Sequence, residues 1–191
     1  MSEEQQYEHV SYEEFGRRFF EIAVSEDRVG DAIGTMAGDE FEMGPFAQGP
    51  GKIAKIFARV RIKHPIVTRD LTYDEIHFAI RIPLEIDLTI DLRIDRPKFM
   101  VFGEINLKAR AVAAQPLMLI LDVQSPRSSD IAIHVTSSSI RAELVRIVGN
   151  VDGEIRRFIA QHVAGEINSP GAQKAKVIDI GSIIDTAWTG V

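Results

Sequence analysis

The stretch IHFAIRIPLEIDLTIDLRI, Ile76 to Ile94, decides the fold: every even-numbered position in it is apolar, while the odd positions are mostly polar, charged, Pro or Ala. Successive side chains of a strand point to opposite faces, so the run reads as extended chain with one apolar face along its whole length. At ~3.3 Å per residue it would reach roughly 60 Å, several times an ordinary strand of five or six residues. A face that long does not fit against a compact core. It must curl around a cover, either the chain's own helix or a long apolar ligand.

Working outward, Asp95-Arg96-Pro97-Lys98 has turn chemistry and predicts a hairpin. Pairing Ile94 with Phe99 would set Val101, Ile105, Leu107, Ala109 and Ala111 opposite Leu92, Leu88, Ile86, Leu84 and Ile82, with Glu85 against Lys108 on the other face. A slip by one residue would turn one apolar set toward water, so the two patterns fix the register. Ile53 to Lys63 alternates in the same way and carries a mainly basic outer face. Leu117 to Val123, the positions Ile131, Ile133 and Val135, and Lys176 to Ile180 read as further strands.

Helical signals flank this sheet. Ser11 to Val24 and Glu26 to Met36 predict two helices, the first capped by Ser11 with Glu14 three residues on and striped by Phe15, Phe19, Ile22 and Ala23. Ala37 to Lys52 reads as a loop around Gly44-Pro45 and Gly49-Pro50, anchored by Phe41, Met43 and Phe46. From Ile140 to Ile167 the apolar period becomes three to four residues, which predicts one amphipathic helix of roughly 40 Å. Asn168, Pro170 and Gly171 end it, and an apolar tail follows with Ile183, Ile184 and Trp188. The expected class is α+β: a long, strongly curved antiparallel sheet wrapped around a long C-terminal amphipathic helix, with N-terminal helices. One domain spans 1–191, with a helical segment at 1–40 and the sheet and helix at 41–191.

Composition narrows the function classes. A net charge of −6 argues against a broad phosphate-binding surface, so nucleic acid is not an expected partner. The chain has no cysteine, which removes disulfides, thiolate nucleophiles and zinc-thiolate sites. Met1 to Gln6 is acidic and polar rather than basic and apolar, and no uncharged run approaches the ~20 residues of a bilayer span, so the expected location is cytoplasmic.

Catalytic chemistry is hard to find. His9, His64, His77, His134 and His162 show no metal-ligand spacing and read as surface or interfacial imidazoles. Glu85, Asp87 and Asp91 could suggest acid/base work or a cation site, yet they share the polar face of their strand, where the basic face of Ile53 to Lys63 is the simpler partner. The glycines of Gly44 to Gly51 lack the Lys-Ser/Thr of a phosphate loop, and Ser137 to Ser139 lack a nucleophile elbow. No catalytic residue, metal ligand or cofactor is expected, which moves weight toward a binding module. Parity selects the residues that would line its interior: Ile82, Leu84, Ile86, Leu88, Ile105, Leu107, Leu119 and Ile133 from the sheet, with Ile147, Val151, Ile155 and Phe158 from the helix.

The long strand at Ile76 to Ile94 with its return strand, the helix at Ile140 to Ile167 leading into Glu166-Ile167-Asn168, and the short strand at Lys176 to Ile180 together resemble the tubular lipid-binding (TULIP) superfamily. The segment Phe41-Glu42-Met43-Gly44-Pro45-Phe46 is similar to the Gly-Pro-aromatic lead-in of its bacterial members, of BPI-like or SMP-like type. The resemblance implies a sheet rolled around a long helix, a lipid or other apolar small molecule inside, and no chemistry performed. It leaves open transient membrane contact and homodimerisation. Two other readings stay open from the residues: a helix-grip domain of START-like or polyketide-cyclase-like type, binding a ligand or acting as an enzyme, and a structural or dimerising adaptor with a filled core.

Overall fold

The computed structural model describes residues 7–34, 38–48, 54–72, 75–92, 94–134 and 152–189. In chain order the elements are α1 (Tyr12–Ala23), α2 (Glu26–Gly34), β1 (Glu40–Gln48), β2 (Ala54–Ile62), β3 (Ile66–Thr72), β4 (Glu75–Asp91), β5 (Lys98–Ala114), β6 (Met118–Val123), a 3-10 turn (Ser128–Asp130), β7 (Ile131–His134), α3 (Asp152–Ile167), α4 (Pro170–Ala175), β8 (Val177–Asp179) and α5 (Ile180–Thr189). The fold is α+β, with a strongly curled antiparallel sheet that closes half of a barrel.

The alternating stretch becomes β4, 17 residues long, and pairs with β5, also 17 residues, as the spine of the sheet. The even positions Ile76 to Ile90 are buried while the odd ones are not, as the period-two pattern requires. The register differs from the sequence expectation. Ile86 faces Val101 rather than Leu107, and Glu85 faces Phe102 rather than Lys108. The chain leaves the ladder at Asp91, and the tip closes through hydrogen bonds from Leu92 N–H to the Asp95 carbonyl and from Ile90 N–H to the Pro97 carbonyl, each 3.0 Å, leaving Ile94 fully exposed. The displacement is an even number of residues, so every inward assignment on the hairpin survives it.

Shorter strands lie end to end along both edges of the spine. On the β4 side, β2 pairs with Leu84 to Asp91 and β3 with Glu75 to Arg81. On the β5 side, β7 pairs with Phe102 to Ile105 and β6 with Ala109 to Ala114. The half near the hairpin tip therefore runs β1-β2-β4-β5-β7, and the far half runs β3-β4-β5-β6-β8.

Two local expectations fail for identifiable reasons. The Gly/Pro-rich segment expected as a loop forms β1, because Gly44 and a cis Pro45 make a bulge between Met43 and Phe46 rather than a break. Gly44 sits at φ +106°, and a Cβ there would meet the Ile56 carbonyl oxygen at 2.4 Å, so only glycine fits. Strand β3 has no counterpart among the sequence expectations, since Arg69 occupies an inward position and interrupts the apolar alternation.

The helix expected over Ile140 to Ile167 is described for its second part, the 16 residues of α3; residues 140–151 lie outside the described residues. At 1.5 Å per residue α3 spans ~24 Å, well short of the hairpin. It ends at Ile167, as Asn168 and Pro170 predict, and a separate short helix follows: Ser169 accepts the Ala172 N–H (3.2 Å) and caps α4, with Pro170 in its first turn. The apolar tail is helical too, as α5, and its Ile183, Ile184 and Trp188 are exposed.

Candidate functional site

The inner face of the curled sheet collects the residues selected by parity. Ile82, Leu84, Ile86, Leu88, Ile105, Leu107 and Leu119 are buried there, Ile155 joins them from α3, and Ile133 and Phe158 are partly buried against the same cluster. Ile147 and Val151 lie outside the described residues. Removing each such aliphatic side chain from water contributes about 1.5–3 kcal/mol, so the inward face is also the main source of stability.

Near the hairpin tip this face is sealed. Helix α3 buries Ile155, Ile159, Ala160, Val163 and Ile167 and packs against β7 and the 3-10 turn on one side. On the other side it reaches β1 through rings: Phe41 stacks on His162 with centroids 3.9 Å apart, and Phe158 contacts both Phe41 (6.5 Å) and Phe46 (6.2 Å). The helix thus spans from one edge of the half-barrel to the other. His162 serves as an aromatic spacer in that seam, the interfacial role open to it from sequence.

Away from the tip the inner face changes. Gly103 apart, the inward residues of β5 are the large Val101, Ile105 and Leu107 near the tip and only Ala109, Ala111 and Ala113 beyond, and Ala113 is exposed. Between this row and α1 lies a crevice of about 800 Å³. Its floor is Ile76, Ala111 and Ala113, its lid is Phe20 and Gly16, and its rim carries Glu13, Glu14, Arg17, Glu21 and Glu75.

The lid is tethered through the inward arginine. Arg69 donates from Nη1 to the Glu21 carbonyl (2.7 Å), and its backbone N–H donates to Glu26 Oε1 (2.7 Å), so β3 holds the junction of α1 and α2. Val24 and Val29, just either side of that junction, are buried in the core. Sequence reading missed Arg69 and the alanine row. The falling side-chain size along one parity of β5 was the available signal.

The outer face carries matched charges. Arg61 pairs with Asp87 (2.6 Å) and Glu85 (3.3 Å), Lys63 with Glu85 (2.9 Å), Arg59 with Glu42 (2.6 Å) and Glu40 (2.9 Å), and Arg96 with Asp91 (2.9 Å). A hydrogen bond to Glu42 and then the charge of Glu40 hold the Arg59 guanidinium above its usual pKa. Lys176, whose Nζ donates to the Ile167 carbonyl (2.7 Å), is held below the usual lysine value by burial, with Asp122 opposing. Of the histidines on strands, His77 pairs with Glu75 (2.8 Å) and His134 is exposed, both on the outer face. Among the described residues no cluster of three or more His, Asp or Glu is placed to hold a metal ion, and no helix is long and apolar enough to cross a membrane.

No protein-family model matches this chain, and no curated protein matches it either.

Proposed function

We propose that this protein is a non-catalytic carrier of a lipid or another long apolar molecule, held between the inner face of the curled sheet and the helices that cover it. The observation that carries this reading is the crevice under α1. Its floor is the outer end of the inner row, so an acyl chain lying between Phe20 and Ala113 would meet Ile76 and Ala111, beyond which Phe78 and Ile80 are packed into the core. The crevice is open to solvent along its length, and a charged rim over a short apolar floor suits an amphiphile lying in it with its polar end outward. The long amphipathic helix read over Ile140 to Ile167, and the TULIP-like arrangement it would complete, belong to this proposal.

The test is native mass spectrometry of the purified chain, followed by organic extraction and titration with a fluorescent fatty acid. A bound lipid, or saturable one-to-one uptake of the probe that Ala111→Trp abolishes by filling the crevice, supports the carrier. Absence of both supports the filled-core adaptor reading, which the near-complete burial of Ile82, Leu84 and Ile86 favours.

A further inference from the structure

We propose that the outer face carries a second site, unrelated to the apolar interior, that binds a phosphate group at the waist of the sheet. The waist is where the end-to-end strands meet. Between β6 and β7 the segment Gln124 to Asp130 runs beside β5, anchored by the Gln124 N–H donated to the Lys108 carbonyl (2.9 Å) and by the buried Pro126. With β3 on the other side, it encloses an open concavity of about 1020 Å³ on the outward side of the spine.

Register explains its contents. Thr68, Ala79 and Lys108 form one cross-strand row and Ile66, Arg81 and Asn106 the next, so Arg81 and Lys108 are diagonal neighbours, ~7–8 Å apart at the backbone and within reach of a common group. Ala79 leaves the floor empty between them. Arg127 and Ser129 enter from the loop, while the neighbouring Ser125 hydroxyl accepts from Asn168 Nδ2 (3.1 Å).

The charges here differ from those on neighbouring rows. Arg59, Arg61, Lys63 and Arg110 each have a carboxylate within 3.3 Å. Arg81 has only Glu104 at 3.8 Å, and neither Lys108 nor Arg127 makes an ion pair among the described residues. Asp130, the one carboxylate in the lining, accepts the Arg127 backbone N–H (2.7 Å) and closes the loop. Arg81, Lys108 and Arg127 thus line one concavity in a chain whose net charge is −6, and Glu104, a carboxylate outside the lining, accepts from the Asn106 amide (3.3 Å) and lies 3.8 Å from Arg81. A phosphate monoester offers the complementary set, a double negative charge with three acceptor oxygens that arginine meets as a fork and lysine as a point charge. The group could belong to a soluble phosphorylated molecule or to a phospholipid headgroup.

The experiment is an amide-shift titration of the full chain with inorganic phosphate at constant ionic strength. Saturable shifts centred on Lys108 and Ser129 are expected, weakened about tenfold by Lys108→Glu or Arg127→Glu and unchanged by Lys98→Glu on the same strand outside the site. Parallel arms use glycerol phosphate and vesicles of phosphatidylcholine containing phosphatidic acid; tighter binding in the first identifies a soluble ligand, and flotation with the second that Lys108→Glu abolishes identifies a headgroup. A response reproduced by chloride, one that survives both site variants, or no saturable shift at all would overturn the site.

Discussion

The two halves of the hairpin share one alternating pattern and have different covers. Near the tip, Leu84, Ile86, Leu88, Val101 and Ile105 are buried in one cluster with the inward residues of α3, whose rings grip β1 and whose opposite side rests on β7. At the far end, Ile76, Ala111 and Ala113 face a crevice under α1, and the lid is held mainly through Arg69 and the buried pair Val24 and Val29. Parity states which way a side chain points; the size of the side chain and the element opposite decide whether that direction leads to a packed core or to a space.

The largest expected effect breaks both halves at once. Ile86→Asp and Leu107→Asp place an unpaired carboxylate in the apolar interior and should each cost more than about 4 kcal/mol, abolishing the cooperative unfolding transition. A stable, ligand-competent Leu107→Asp protein would contradict the inward assignment. Next, Gly44→Ala drives a Cβ into the Ile56 carbonyl in the sealed half and should lower stability by about 2–4 kcal/mol in denaturant titration.

A smaller effect separates the halves. Arg69→Ala removes the guanidinium's hydrogen bond to the Glu21 carbonyl and should cost about 1–2 kcal/mol, with faster amide hydrogen exchange confined to α1 and α2 while α3 keeps its protection. Equal loosening of α3 would show that the two covers are not independent. The smallest effect is a pH dependence. Burial lowers the Lys176 pKa in the folded state, so the folded chain binds fewer protons there than the unfolded one between the folded value and 10.5, and stability rises with pH across that window. Lys176→Met should flatten that rise in pH-dependent unfolding.

Much of this architecture was legible in the residues. The two N-terminal helices, β2, β4, β5 and β6 follow from period and capping signals, and so does the inward parity of Ile82, Leu84, Ile86, Leu88, Ile105 and Leu107, although none of these residues lines the crevice. What was not legible depended on contacts between distant segments. The hairpin register turned on how the tip closes at Leu92 and Asp95, β3 was masked by the inward Arg69, and β1 was masked by a Gly-Pro bulge that resembles a loop in isolation. Even the matched outer face was anticipated only as a pairing of acidic and basic strands, without its partners: Glu85 meets Arg61 and Lys63, not Lys108.

The most direct test of the carrier proposal is quenching at the far end. In a Trp188→Phe background, Phe20→Trp exchanges one aromatic lid residue for another and makes it the sole tryptophan, and a fatty acid brominated along its chain should quench it saturably. Quenching that reaches a plateau at one ligand per chain is the predicted result. An unquenched tryptophan in a protein that is folded would contradict the account.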